Sequence, residues 1–229
     1  MTRPNVSFEF FPPKSVEASF RLWDTIQTLA PLDPTFVSVT YGAGGTTREL
    51  THEAVTALHK ATDLRVAAHL TCVDASREET LSIARDYMKS GVTDIVALRG
   101  DAPKGQDFAA TENGFASSIE LIEALKTETD ATIRVGAYPD SHPEAGSMDA
   151  NIAYLKRKFD AGADAAITQF FFEADTFFRF RDACVKAGID KPILPGIFPI
   201  EDWTRASNFA KRCGTHVPAW LEEAFTTAI

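Results

Sequence analysis

Cysteine is scarce in this sequence. Its three cysteines, Cys72, Cys184 and Cys213, stand far apart among 229 residues and form no Cys-x-x-Cys motif. An odd number of scattered thiols argues against a disulfide framework and favours a reducing compartment, so we predict a cytoplasmic protein. The first strand-like run begins at about Val6, and we therefore expect no signal peptide. No apolar run approaches the roughly 20 residues of a membrane-spanning helix, so no membrane association is predicted.

Positively charged residues are also fewer than negatively charged ones. Lysine and arginine total 23 against 32 aspartate and glutamate residues, which gives a formal net charge of −9. An acidic surface repels phosphate polymers, so nucleic-acid binding is not expected. Several motifs are missing as well: there is no P-loop, Rossmann fingerprint, His-Glu-x-x-His or Gly-x-Ser-x-Gly. The sequence therefore predicts no metal site and no covalent nucleophile, and any nucleotide cofactor must be held in another way.

Short apolar runs recur along the chain at intervals of roughly thirty residues, which is the length of one strand–helix unit. Amphipathic helical patterns separate them, as expected of a βα repeat. Such a repeat predicts one catalytic α/β domain over residues 1–229, built as a (β/α)8 barrel of the TIM type. The predicted strands span residues 6–11, 36–41, 65–72, 94–99, 133–138, 165–170 and 193–198. The predicted helices span residues 19–29, 48–61, 77–90, 115–128, 150–161, 176–187, 203–213 and 218–228.

Seven predicted strands leave such a barrel one strand short. An incomplete barrel exposes two strand edges, which is unfavourable unless something covers them. We therefore expect the natural chain to continue past Ile229 and supply the eighth strand, with coverage by the last helix or by a partner chain as the alternative. A homo-oligomer is predicted for the same reason.

The C-terminal ends of the strands carry the chemistry in a barrel of this type. Side-chain alternation in the first strand places Glu9 opposite Phe8 and Phe10, so Glu9 should point into the barrel mouth. Burial among aromatic rings predicts a raised pKa for Glu9, which suits a general acid; an ion pair with a core Arg or Lys is the alternative. His69 has the same orientation in the third strand. It either contacts a ligand or is a core residue whose hydrogen bonds are made within the protein.

Two more strand ends carry polar side chains. Arg99 and Asp101 follow the fourth strand and either hold a polar ring system or form an internal ion pair. Gln169 lies among phenylalanines after the sixth strand and offers a donor and an acceptor to a flat heterocycle, although this segment also fits an ordinary core.

Two segments outside the strands suit phosphate groups. The glycine-rich loop at residues 41–48 is either an anion cradle or a bare turn. Helical spacing places Asn151, Tyr154 and Lys158 on one stripe with Arg157 beside it. This stripe either binds diphosphate and ribose or is a solvated helix face.

Six motifs occur in order at these strand ends. They are FEFFPPK at residues 8–14, VTYGAGG at 39–45, HLTC at 69–72, LRGD at 98–101, AYP at 137–139 followed by HPEA at 142–145, and TQFFF at 168–172. Together they resemble the methylenetetrahydrofolate reductase family in its bacterial form. The resemblance extends from about Val6 to the end of the chain.

The resemblance implies a (β/α)8 barrel that binds FAD without a Rossmann fold. It further implies NADH- or NADPH-dependent reduction of 5,10-methylenetetrahydrofolate to 5-methyltetrahydrofolate, a step of one-carbon metabolism and methionine biosynthesis. In this ping-pong scheme, the nicotinamide nucleotide reduces the flavin and leaves before the folate enters and accepts the hydride.

The resemblance also assigns roles to individual residues. Glu9 matches the general acid that protonates the folate, and Asp101 matches a residue that contacts both pterin and flavin. Gln169 matches a contact to folate and nicotinamide, and Thr40 matches a nicotinamide contact. Arg205 and Phe209 correspond to folate-site positions. The positions that match FAD contacts are Tyr41, Ala43, His69, Arg99, Gly100, Asp101, Ala116, Tyr138, His142, Ala145, Asn151, Tyr154, Arg157 and Lys158.

The sequence departs from the familiar family pattern in a few places. Asn151 and Tyr154 stand where bacterial members carry Asp and Asn, and Arg205 stands where Gln is familiar. The given residues contain no match to the Tyr-Thr-Leu-Asn-Arg run of the family's last strand, and we expect no regulatory domain. Two alternatives follow: a non-catalytic flavin- or folate-binding subunit, and a flavin barrel that oxidises another amine such as proline.

Overall fold

The computed structural model describes residues 3–41, 48–101, 108–142 and 144–226. Parallel strands alternate with helices along these residues, so the α/β fold of the TIM-barrel type is confirmed. The strands are β1 Ser7–Phe10, β2 Phe36–Val39, β3 Val66–Thr71, β4 Asp94–Leu98, β5 Thr132–Ala137, β6 Ala165–Thr168 and β7 Ile193–Leu194. The helices are α1 Val16–Leu29, α2 Arg48–Ala61, α3 Arg77–Lys89, α4 Ser118–Glu128, α5 Met148–Asp160, α6 Ala174–Lys186, α7 Trp203–Cys213 and α8 Ala219–Thr226, with a turn of 3₁₀ helix at Ala30–Leu32.

Serine side chains fix the start of four helices. Each accepts a hydrogen bond from the backbone amide three residues later, which satisfies one of the amides that has no partner inside the helix. The prediction that the fourth helix begins at residue 115 is wrong by three residues, because Ser117 caps α4 and Phe115 is a buried core residue. The four capping residues are Ser15, Ser76, Ser117 and Ser147.

The seventh strand is much shorter than predicted. Its predicted range of 193–198 shrinks to Ile193–Leu194. Pro195 has no amide hydrogen for a strand ladder, so pairing cannot continue through it. The next amide, that of Gly196, donates to the Thr168 hydroxyl at 2.8 Å instead.

The chain forms two compact units, Met1–Arg134 and Val135–Ile229. In the first unit, β1, β2, β3 and β4 pair in sequence order, and Glu9 is aligned with Ser38. Phe8 and Phe10 pack against a buried cluster that includes Ile26, Val39 and Tyr87. The apolar face predicted for the first strand is therefore confirmed, whereas the single domain over residues 1–229 stays a prediction.

Buried charge holds together the N-terminal ends of the strands in the first unit. Asp94, at the start of β4, has a side chain only 1% exposed and forms ion pairs with Arg65, at 2.7 Å, and with Arg134. The Arg134 guanidinium also lies 4.1 Å from the centre of the Phe36 ring. These contacts lie at the N-terminal ends of the strands, the face that serves stability rather than chemistry in barrels of this type.

The second unit has an aromatic core beside its strands. β6 pairs with β7 through Ala166 and Ile193, and through Ile167 and Leu194. The Phe170 ring stacks on Phe209 at 5.4 Å between centroids, and both rings contact Phe198. Within the described ranges, no helix is long and apolar enough to cross a membrane, and no three metal-binding side chains gather into a possible ion site.

Candidate active site

Glu9 and His69 meet across the sheet of the first unit. The Glu9 Oε2 atom lies 3.3 Å from the His69 Nε2 atom, with the Glu9 side chain 51% exposed and that of His69 only 7% exposed. The two atoms are at ion-pair distance, and Nε2 has no hydrogen-bond partner among the described residues. Glu9 thus has an ionic partner, as the structural alternative proposed, but the partner is a histidine.

The pKa of Glu9 moves in the direction opposite to the prediction. Burial favours its neutral form, but the charge of His69 and polar contacts with His69 and Ser38 outweigh that effect and lower the pKa below its ordinary value. The predicted raised pKa is therefore wrong for this structure. Sequence alternation placed Glu9 correctly but could not show that His69, 60 residues away in sequence, faces it.

The inner face of β3 carries a second unsatisfied polar atom. The Thr71 hydroxyl, two residues beyond His69, is buried and has no hydrogen-bond partner among the described residues. Buried polar atoms in proteins nearly always have a hydrogen-bond partner, so two atoms on one strand face that lack one indicate a place for a ligand's polar groups. The same alternation that selected His69 selects Thr71, and the sequence prediction missed it.

The end of β4 packs closely against this strand. A Cβ atom at Gly100 would lie 3.0 Å from the Thr71 Cβ and 3.1 Å from the Val73 Cβ, and the φ angle of Gly100 is +87°. Only glycine fits both constraints. Arg99, just before it, places its guanidinium 4.7 Å from the centre of the Phe108 ring. Asp101 follows as an exposed residue.

Thr40 and Tyr41 follow β2 and accept hydrogen bonds from side chains of α2. The Arg48 Nε atom donates to the Tyr41 hydroxyl at 2.8 Å, and the Thr51 hydroxyl donates to the Thr40 carbonyl oxygen at 3.0 Å. Burial raises the pKa of Tyr41, and Arg48 partly opposes the rise. Ala43 lies outside the described residues. Ala116, ahead of α4, donates its amide to Glu120 at 3.3 Å.

In the second unit, the predicted flavin positions contact one another around α5. The Tyr138 and His142 rings meet edge to face at 4.6 Å, and Asn151 Nδ2 donates to the Tyr138 carbonyl oxygen at 2.8 Å. Lys158 Nζ donates to the Gly136 carbonyl oxygen at 2.8 Å. Asn151 and Lys158 are both buried, so a solvated helix face is wrong for these two residues.

The cations of this helix share one aromatic ring. The Arg157 guanidinium and the Lys158 ammonium lie 5.7 and 5.2 Å from the centre of the Tyr154 ring. Arg157 itself is exposed. Positive charge is thus held beside a ring, in an arrangement that could face phosphate. Ala145 closes the turn before the helix, its amide donating to the His142 carbonyl oxygen at 2.9 Å.

The three predicted folate-binding residues of the second unit have different surroundings. Gln169 lines a small cavity with Tyr138, and its backbone N–H donates to the Ala137 carbonyl oxygen at 2.7 Å. Phe209 offers a ring already stacked on Phe170. Arg205 lies apart from these, because its side chain is 89% exposed and faces Asp202 at 3.8 Å.

Comparison with known proteins identifies the family. The sequence matches the family description "Methylenetetrahydrofolate reductase" over residues 1–229. It is 48% identical over 221 residues to 5,10-methylenetetrahydrofolate reductase of Escherichia coli K12, covering 96% of this chain and 73% of that protein. The chain belongs to the methylenetetrahydrofolate reductase family. The family extends to plants: Methylenetetrahydrofolate reductase (NADH) 1 of Arabidopsis thaliana is 36% identical over 230 residues, covering 95% of this chain and 39% of that protein.

A solved structure supports the same fold. It is an uncharacterized protein from Clostridium thermocellum that binds two copies of 5-methyl-5,6,7,8-tetrahydrofolic acid. It aligns with 98% of this chain and 76% of its own length, at a TM-score of 0.67 and 15% identity. At that identity the likeness concerns the fold alone, and the family assignment of this chain rests on the sequence relatives.

Proposed function

We propose that this protein reduces 5,10-methylenetetrahydrofolate to 5-methyltetrahydrofolate with a bound FAD and with NADH or NADPH as the reductant. Membership of the reductase family supports an oxidoreductase that acts on methylenetetrahydrofolate. The observation that carries the finer proposal is the Glu9–His69 contact, two residues from the buried Thr71 hydroxyl; neither His69 Nε2 nor that hydroxyl has a hydrogen-bond partner among the described residues. A cytoplasmic location and a homo-oligomer stay predictions.

The residues at the strand ends fit a flat, polar cofactor. His69 Nε2 and the Thr71 hydroxyl supply hydrogen-bonding atoms, and Gly100 allows close packing of the backbone beside them. Tyr41 and Arg99 follow β2 and β4, the strands on either side of β3 in the same unit. FAD, when bound, supplies hydride transfer between the nicotinamide nucleotide and the folate.

In this proposal, Glu9 is the general acid. A carboxylic acid must hold its proton at working pH in order to protonate a ring nitrogen of the folate. His69 opposes this while it faces the carboxylate, because its charge favours the ionised form of Glu9. A ligand that accepts from His69 Nε2 in place of Glu9 would weaken that opposition.

The remaining assigned residues bind and orient. Asp101 places a negative charge at the end of β4, and Gln169 presents an amide for both folate and nicotinamide. Phe209 offers an aromatic face for stacking, and its ring already packs against Phe170. Arg157 and Lys158 are assigned to the phosphates of the cofactor, beside the Tyr154 ring.

The test separates the two half-reactions. Protein reconstituted with FAD is mixed anaerobically with NADH or with NADPH in a stopped-flow instrument, and the bleaching of the flavin is recorded. The reduced protein is then mixed with methylenetetrahydrofolate, and the return of flavin absorbance is recorded. The proposal expects both phases; a protein that binds no FAD contradicts it. Bound flavin without either phase would favour a non-catalytic binding subunit, and reduction by proline in place of the nicotinamide nucleotides would favour amine oxidation.

A further inference from the structure

Arg48 joins two loops at the strand ends of the first unit. It is the first residue of α2, and its Nε atom donates to the Tyr41 hydroxyl at 2.8 Å. A terminal nitrogen of the same guanidinium donates to the Asp74 carbonyl oxygen at 3.2 Å. Tyr41 follows β2, and Asp74 lies between β3 and α3. One planar side chain therefore links the segments that follow two neighbouring strands.

The backbone that carries Arg48 is itself anchored. Thr51, one helical turn later, is fully buried, and its hydroxyl donates to the Thr40 carbonyl oxygen at 3.0 Å. The first turn of α2 is thus tied to the residue just before Tyr41. Because this bond fixes the start of α2 beside Thr40, the Arg48 guanidinium is held within reach of the Tyr41 hydroxyl.

The electrostatic surroundings keep the Tyr41 phenol neutral. Burial raises its pKa, and the hydrogen bond and charge of Arg48 lower it in part. Tyr87 is a second buried phenol, and its pKa is raised by burial and then by the charge of Tyr41. Its ring centre lies 5.0 Å from that of His52. A neutral phenol that accepts from Arg48 still has its own proton to donate.

We propose that Arg48 is a positioning residue that orients the Tyr41 hydroxyl for the cofactor. This inference rests on the proposed function, which assigns Tyr41 to the flavin. An arginine suits the task because its fork of donors can hold two acceptors at a fixed angle, whereas the ammonium of a lysine is a single point charge. Orientation of a ligand-binding group by a supporting side chain is a common requirement of binding sites.

The first experiment measures FAD binding in a double-mutant cycle. The dissociation constant is measured by flavin fluorescence for the wild-type protein, Arg48→Lys, Tyr41→Phe and the double variant. We expect Arg48→Lys to weaken binding about tenfold, as for one lost hydrogen bond to a charged group. In the Tyr41→Phe background, Arg48→Lys should have no further effect, because the group on which Arg48 acts is gone.

A matched control comes from α3. Arg85 also bridges two partners, Glu78 and Glu128, but it lies in the middle of its helix and away from the strand ends. Arg85→Lys should therefore leave the FAD dissociation constant unchanged. Circular dichroism of every variant confirms that each one is folded.

The second experiment examines the protein without cofactor. Ultraviolet difference titration follows phenol ionisation, and the contribution of Tyr41 is identified by its loss in Tyr41→Phe. Arg48→Met should shift that ionisation to higher pH, because a positive neighbour that stabilised the phenolate is removed. A role for Arg48 in helix packing alone would not move it.

Three results would overturn the inference: wild-type FAD affinity in Arg48→Lys, an undiminished effect of Arg48→Lys in the Tyr41→Phe background, or an unchanged Tyr41 titration in Arg48→Met. If the wild-type protein binds no FAD, the proposed function fails and the positioning role fails with it. FAD binding that is indifferent to Arg48 refutes the positioning role and leaves the proposed function standing.

Discussion

The two units of the chain hold their assigned residues in different states. In Met1–Arg134, His69 and Thr71 have buried polar atoms without hydrogen-bond partners among the described residues. In Val135–Ile229, Asn151 and Lys158 already donate to backbone carbonyl oxygens. Unpaired buried atoms are unfavourable until a ligand satisfies them, whereas paired ones support the structure around them. We therefore expect chemistry mainly in the first unit and support mainly in the second.

Replacement of the acid should give the largest effect. Glu9→Gln keeps the shape of the side chain but replaces the carboxyl group with an amide, which cannot supply the proton that the folate step requires. We expect reoxidation of the reduced flavin by methylenetetrahydrofolate to slow by about 10²- to 10⁴-fold, the usual contribution of a general acid. Reduction of the flavin by NADH or NADPH should be unchanged. Stopped-flow measurement of the two phases checks this, and equal loss of both would remove the special role of the first unit.

The buried ion pairs of Asp94, at the N-terminal ends of the strands in the first unit, provide the next prediction. Asp94→Ala leaves the buried Arg134 without its carboxylate, so the free energy of unfolding should fall by about 3–5 kcal/mol. Urea denaturation measures the loss. Asp86→Ala is the matched control, because Asp86 pairs with Lys89 at an exposed position at 3.0 Å and its removal should cost about 0–1 kcal/mol. Similar losses in the two variants would show that Asp94 is not a structural anchor.

The second unit also offers a buried and an exposed position for comparison, Lys158 and Arg157. Lys158→Met removes the hydrogen bond that the buried Lys158 ammonium donates to the Gly136 carbonyl oxygen, so the free energy of unfolding should fall by about 1–3 kcal/mol. Arg157→Met, at an exposed neighbouring position, should change stability by less than about 0.5 kcal/mol and should weaken FAD binding. Urea denaturation and flavin fluorescence measure the two quantities. If Arg157→Met is the more destabilising change, the supporting role of Lys158 is wrong.

Periodicity was sufficient to predict the repeat. Among the described residues, each of the seven strands and eight helices overlaps a predicted one, because burial of one face imposes the same alternation on sequence and structure. The ends were less predictable. Ser117 delays the start of α4 and Pro195 cuts β7 short, and both are local signals that the sequence already contained.

Contacts between distant residues could not be predicted in this way. The orientation of Glu9 follows from alternation within one strand, but its pKa depends on His69, which a different strand brings to 3.3 Å. Likewise, the helical stripe predicts that Lys158 lies beside Tyr154, whereas its bond to Gly136 requires the position of β5. Family resemblance supplied candidate roles at these positions, and the structure supplied the partners that modify them.

The smallest expected effect is a pH dependence of opposite sign in the two units. His69 and Ser38 hold the pKa of Glu9 below its ordinary 4.5, so ionised Glu9 adds stability that is present above that pH and lost as pH falls through the folded pKa. Burial raises the pKa of Asp140 above its ordinary 3.8, so its contribution is present below that pH and lost as pH rises through the folded pKa. In urea denaturation of cofactor-free protein, Glu9→Gln should therefore lose less stability than wild type on acidification, and Asp140→Asn should lose more. Each difference should be below about 1 kcal/mol, because both carboxylates are only partly shielded from water. Shifts of the same sign in both variants would mean that the two carboxylates do not differ in the way that their neighbours dictate.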